Sequence, residues 1–191
     1  ICVVDGRRGF GNGRLLPAGP LREPLSRLRQ VDRVVCNGGE LAPWLPPGME
    51  VESVTMSLEP QGFHQLVGEE RRSAAELSEL ARERTVHAVA GIGNPERFFA
   101  TLKAMGINPE RTHVFRDHHR YRPEDFEGLE GLVLMTEKDA VKCAAFASAC
   151  APLHDAWSLR VSGSLPAEWE NSFVQRASEL VSAAAQARSE P

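Results

Sequence analysis

Residues 8–24, RGFGNGRLLPAGPLREP, constrain this chain more than any other stretch. They hold too much glycine, proline and charge for a core helix or strand, and too many leucines for a disordered linker. They follow the apolar run of residues 1–4, which ends at Asp5. A long ordered loop leaving the carboxyl end of a buried strand is where open α/β folds hold ligands. Gly9, Gly11 and Gly13 let backbone amides approach a ligand, and Arg22-Glu23 sets an anion donor beside a metal or hydroxyl acceptor. Arg7, Arg8, Arg14 and Arg22 favour an anionic ligand over a purely structural loop pinned by Leu15, Leu16 and Leu21.

The rest of the chain alternates strand and helix patterns. Residues 33–37 form a second strand running into Asn37-Gly38-Gly39, and residues 24–30 make a short helix between the two. Extended patterning over residues 49–67, centred on Pro60-Gln61-Gly62, predicts a β-hairpin. Further on, helix is expected over 73–82, strand over 86–90, and helix from Pro95 with Asn94 as its cap. Strands follow at 112–115 and 132–135, then a helix opened by Thr136 with Val141 and Ala145 inward. A strand near 157–161 and a helix over 166–186 close the chain. Phe98, Phe99, Trp169 and Phe173 read as core. Right-handed crossovers would assemble these strands into a mostly parallel α/β sheet flanked by helices. The expected divisions are a first unit over 1–48, a hairpin linker over 49–70 and an α/β domain over 71–191.

With 191 residues, 42% of them hydrophobic, the chain can bury a sizeable core, and a net charge of −4 argues against a nucleic-acid partner. Cys2, Cys36, Cys143 and Cys150 form no CxxC pair and read as free thiols in a reducing compartment. No apolar run is long enough to span a membrane, and no signal peptide is visible. The chain opens at Ile1, already inside a strand, which suggests a piece of a longer protein.

The unusual polar clusters all follow predicted strands: Asp5, Gly91-Ile92-Gly93-Asn94, Asp117-His118-His119 and Thr136-Glu137-Lys138-Asp139. Asp117 and His118 could act as a base and its orienter, or His118 and His119 could contribute to a metal site, or the loop could simply be solvated. The glycines at 91 and 93 could cradle an anion, but the third glycine of the dinucleotide fingerprint is missing, which favours a tight turn. The Thr136 cluster reads first as helix capping with its charges in solvent.

Taken together, Asp5-Gly6-x-Arg8-Gly9-Phe10-Gly11-Asn12-Gly13-x-Leu15-Leu16-Pro17-Ala18-Gly19-Pro20-Leu21-Arg22-Glu23-Pro24 closely resembles the signature of the tetraacyldisaccharide 4'-kinase (lipid A 4'-kinase) family. His87-Ala88-Val89-Ala90-Gly91-Ile92-Gly93-Asn94-Pro95, Phe115-x-Asp117-His118-His119 and Met135-Thr136-Glu137-Lys138-Asp139-Ala140-Val141-Lys142 agree in the same order. The resemblance implies a P-loop-type kinase core followed by an α/β domain, acting at the cytoplasmic face of the bacterial inner membrane. Such an enzyme moves the γ-phosphoryl of ATP, with Mg²⁺, to the 4'-hydroxyl of a tetraacylated glucosamine disaccharide 1-phosphate in lipid A biosynthesis. It further implies Arg8, Asn12, Arg22 and Glu23 as substrate or phosphate contacts, Glu23 beside Mg²⁺, and His118 as a catalytic residue working in a dyad with an upstream aspartate, with the adjacent Asp117 as a further catalytic candidate. The family's phosphate loop, its acidic Mg²⁺ motif, that upstream aspartate and the membrane-anchoring start would precede Ile1, so this chain alone is expected to be soluble and to transfer no phosphate. The other readings are a nucleotide- or sugar-nucleotide-binding module resting on residues 91–95, and a non-catalytic docking domain.

Overall fold

The computed structural model describes residues 1–189. The chain divides into two compact units, Ile1–Glu59 with the segment from Gly163 onward, and Pro60–Ser162. These boundaries differ from the expected divisions at 48/49 and 70/71.

In the first unit, β1 (Cys2–Asp5) and β2 (Val34–Asn37) pair in parallel, and β2 pairs in parallel with the start of β3 (Ser53–Gln65). Val4, Leu28, Val34, Cys36 and Leu41 form its buried cluster. The expected helix at 24–30 is a 3-10 helix, Leu25–Gln30, with Leu28 turned inward. Close backbone packing joins the two strand ends. A Cβ on Gly6 would lie 2.7 Å from the Cys36 sulfur and 2.9 Å from Gly39, so only glycine fits there. The closing helix, α4 (Ala167–Ser189), belongs with this unit. Phe98 and Phe99 are core as expected, but Phe173 is exposed and stacks on the half-buried Trp169 at 5.5 Å. Those two rings share one helix face, which is why they meet each other outside the core.

The second unit is a sheet in the order β3-β8-β7-β5-β6, with β4 (Arg71–Arg72) antiparallel to the far end of β3. β5 (Val86–Ala90), β6 (Arg111–Val114), β7 (Leu132–Thr136) and β8 (Ala156–Ser164) pair in parallel. All five residues of β5 are buried, as a parallel strand covered on both faces requires. Alternation sends Ala88, Leu132 and Leu134 to one face, where they meet Leu77 of α1 (Ala74–Ala81) and Phe98, Phe99 and Leu102 of α2 (Pro95–Ala104). Val89, Val133 and Met135 go to the other, against Tyr121, Phe126 and α3 (Glu137–Cys143). Burial, reinforced by Asp139, pushes the Cys143 thiol up to about 12, so this cysteine is a packing residue.

The expected hairpin around Pro60-Gln61-Gly62 is not there: β3 runs through all three residues without a turn. Pro60 falls between the residues that pair with β2 and those that pair with β4. Gly62, at φ 109°, lets the carbonyl of Arg72 come within 2.8 Å of where a Cβ would stand. The reversal comes later, closed by the amide of Gln65 donating to the carbonyl of Glu70 at 3.0 Å.

Candidate active site

The glycine-rich loop of the first unit is ordered by its own polar groups. Asp5 accepts the amides of Arg7 and Arg8 at 2.9 and 3.2 Å, which turns the chain sharply out of β1. Gly9, Gly11 and Gly13 all sit at positive φ, so the loop coils where other residues would be strained. The ring of Trp44 fills the place a side chain on Gly9 would take, and its indole N–H donates to the carbonyl of Gly6 at 2.8 Å. Asn12 donates to the carbonyl of Ala18 and accepts the amide of Arg14, at 2.9 and 3.1 Å. Both ends of the Asn12 amide thus hold the loop closed. Arg8 and Arg22 are exposed and, among the described residues, carry no ion pair. Glu23 is exposed and bridges Arg27 at 2.9 Å.

In the second unit, parallel pairing puts the carboxyl ends of β5, β6 and β7 on one edge. It thereby brings together three of the four clusters singled out in the sequence: the turn after Ala90, the loop Asp117-His118-His119 and the start of α3. Asp5 lies in the other unit.

The two adjacent histidines have different surroundings. His119 stacks on Phe115 with centroids 4.6 Å apart and bonds Asp125 at 2.9 Å, so it is a structural residue. His118 is the exposed one, its side chain 80% accessible. It sits at φ 62°, a left-handed conformation disfavoured for a side chain, and such strain concentrates at functional sites. Its amide donates to Asp117 Oδ1 at 3.0 Å, and its ring Nε2 stands 3.8 Å from Asp117 Oδ2. Lys138 Nζ donates to the same Oδ1 at 2.8 Å. That hydrogen bond, with the charges of His118 and Lys138, holds the Asp117 carboxyl below its usual range.

The cluster opened by Thr136 departs from the expected capping with charges in solvent. Thr136 does cap α3, accepting the amide of Asp139 at 3.2 Å. Asp139, however, is fully buried. Its carboxylate accepts the amide of Gly91 at 2.9 Å, the hydroxyl of Thr136 at 2.7 Å and the ammonium of Lys142 at 2.8 Å. This inward anchor sets the rotation of α3, so Ala140 and Cys143 face the core while Val141 is 72% exposed and Ala145 is exposed. The inward placement expected for Val141 and Ala145 is therefore corrected. The same carboxylate occupies the Gly91 amide, which disfavours an anion there and leaves the tight-turn reading of residues 91–95. Tyr121 completes the cluster: its hydroxyl is buried without a hydrogen-bond partner among the described residues, and Lys142 lies 5.5 Å from its ring. Burial, together with the Asp139 charge, drives this phenol far above its ordinary pKa. Lys138 and Asp139 were legible only as helix-start residues, and Lys142 only as part of the family motif, since the sequence does not show what each side chain meets.

These elements define a mostly parallel α/β protein with a histidine–aspartate–lysine group at the carboxyl edge of its sheet. The family model for tetraacyldisaccharide-1-P 4'-kinase (LpxK) matches residues 1–178, and the chain belongs to that family. Curated relatives described as tetraacyldisaccharide 4'-kinase agree. The protein of Methylobacillus flagellatus is 52% identical over 148 residues, covering 77% of this chain and 41% of its own length. That of Alcanivorax borkumensis is 44% identical over 178 residues, covering 93% and 49%. That of Xanthomonas euvesicatoria pv. vesicatoria is 47% identical over 189 residues, covering 95% and 51%. The chain thus spans about half the length of these relatives. A crystal structure of LpxK from Aquifex aeolicus in complex with ATP has the same fold, with a TM-score of 0.60 at 23% identity, covering 91% of this chain and 50% of that one.

Proposed function

We propose that this chain is the part of a tetraacyldisaccharide 4'-kinase that carries the hydroxyl-activating group, in a protein that binds ATP and the acylated disaccharide. The observation behind this is the exposed His118 imidazole, held in a strained backbone conformation beside the Asp117 carboxylate. Family membership supplies the substrates: a relative of the same fold binds ATP, and the family description names the tetraacyldisaccharide 1-phosphate and its 4' position.

In this reading the 4'-hydroxyl oxygen forms a bond to the γ-phosphorus of ATP while the bond to the β,γ-bridging oxygen breaks and ADP leaves. The hydroxyl proton goes to a ring nitrogen of His118, and Asp117 orients the ring and offsets the charge it gains. Arg22 and Arg8 are assigned to phosphate oxygens, where a guanidinium fork is best matched. Asn12 supports them from behind, by shaping the loop that carries them.

Among the described residues no group of three or more His, Cys, Asp or Glu forms a metal cluster. Mg²⁺ in a nucleotide site is generally held by one or two carboxylates together with the nucleotide phosphates and water. Glu23 is the carboxylate of this chain that would reach it, on release from Arg27. When bound, the ion would neutralise charge on the phosphates.

No helix among the described residues is long and apolar enough to cross a membrane. Peripheral contact at the cytoplasmic face of the inner membrane is part of the proposal, because the acceptor is a lipid.

The test is transfer of label from γ-labelled ATP to the acylated disaccharide by the whole protein, with Mg²⁺. Labelled 4'-phosphorylated lipid is expected. Label released only as inorganic phosphate would overturn the reading. The 191 residues alone, half the length of the relatives, are expected to transfer none.

A further inference from the structure

We infer that Lys138 is a positioning residue for phosphoryl transfer, acting through Asp117 to hold the His118 imidazole in its working orientation. The inference rests on the functional reading above and adds a residue that neither the sequence nor the family match assigns.

Asp117 Oδ1 receives two donors, the ammonium of Lys138 at 2.8 Å and the backbone amide of His118 at 3.0 Å. With both in place the carboxylate has one orientation, and its other oxygen, Oδ2, is the one turned toward the His118 ring at 3.8 Å. Without Lys138 a single backbone amide would hold an exposed carboxylate, which could rotate about its terminal torsion. The His118 side chain is 80% accessible, so little neighbouring packing holds it and the carboxylate is the group that directs it.

Lys138 can do this because its own mount is rigid. It lies in the first turn of α3, between Thr136, which caps the helix, and Asp139, which is buried on the amide of Gly91. Lys142, one turn on, is committed to Asp139 at 2.8 Å and does not compete for Asp117. The cluster therefore divides its two ammonium groups: Lys142 neutralises the buried anchor and Lys138 serves the surface pair. An exposed ion pair of this kind adds little to stability. Its role is to be sought in rate.

The experiment measures kcat and KM of the whole protein carrying Lys138→Met, Lys138→Arg, Asp117→Ala and the double change Asp117→Ala/Lys138→Met, with His118→Ala as reference. Lys138→Met should lower kcat roughly tenfold with KM for ATP unchanged, as misorientation of a reacting group does. Lys138→Arg should restore most of the rate, and thermal midpoints should match wild type. In the double variant the Lys138 change should cost nothing beyond Asp117→Ala, because the path runs through that carboxylate. Full activity of Lys138→Met while His118→Ala is impaired would overturn the positioning role and leave the proposed function standing. Independent losses in the double variant would also overturn it, assigning Lys138 a direct contact instead. Full activity of His118→Ala would instead remove the functional reading itself.

Discussion

The carboxylate of Asp139 accepts the backbone amide of Gly91 at 2.9 Å, joining the first turn of α3 to the end of β5 across 48 positions of sequence. The bond lies in the protein interior, where a carboxylate is tolerated only when its oxygens are satisfied, and Thr136 and Lys142 complete the set.

Replacing Asp139 with Ala strands the Gly91 amide and leaves the Lys142 cation without its counter-ion. Removing one member of such a buried pair costs about 3–5 kcal/mol. We expect a matching drop in the urea midpoint, with Asp139→Asn less severe because it keeps an acceptor for Gly91. Equal midpoints for Asp139→Ala and wild type would show that the network does not hold α3.

Gly91→Ala should clash with Tyr121, whose hydroxyl lies 2.6 Å from the position of the new methyl. Overpacking of this kind costs about 1–3 kcal/mol. Tyr121→Phe alone should be neutral or slightly stabilising, because it removes a buried hydroxyl that has no partner. It should also relieve Gly91→Ala. A double variant no more stable than Gly91→Ala would mean that the clash lies elsewhere.

His113, packed against His87, makes stability depend on pH. Their rings stack with centroids 5.3 Å apart, and His87 Nδ1 lies 3.0 Å from His113 Nε2. Burial, then the neighbouring His87 and Arg111, lowers the pKa of His113 from 6.5. A histidine depressed in the folded state binds its proton more readily when unfolded. Its contribution is therefore intact above pH 6.5 and is lost as pH falls from 6.5 through the folded value. Urea midpoints should fall between pH 7.5 and 5.5, less steeply for His113→Phe. Parallel curves for the two proteins would exclude His113 as a source of the dependence.

Much of this architecture was readable from the chain. The mostly apolar run of β5, broken only by His87, announced a buried strand, and Asn94-Pro95 announced a helix start, found with Asn94 accepting the amide of Arg97 at 3.3 Å. The path through Pro60-Gln61-Gly62 was not readable, because a proline and a glycine signal a turn locally, while here strand pairing on either side overrides them. The same limit applies to α3. Helical periodicity put Val141 inward, but one buried ion pair outweighs one valine in setting the rotation of a seven-residue helix. At the site, adjacency marked Asp117-His118-His119 as a group. Only the packing of Phe115 and Asp125 against His119 separates the structural histidine from the available one.

The most direct measurement is kcat for phosphate transfer from ATP to the acylated disaccharide by the whole protein carrying His118→Ala, with folding checked by its thermal midpoint. Loss of a proton acceptor should lower kcat by roughly 10²–10⁴ with KM for ATP little changed. A fully folded His118→Ala protein with wild-type kcat would contradict the assignment of hydroxyl activation to this residue.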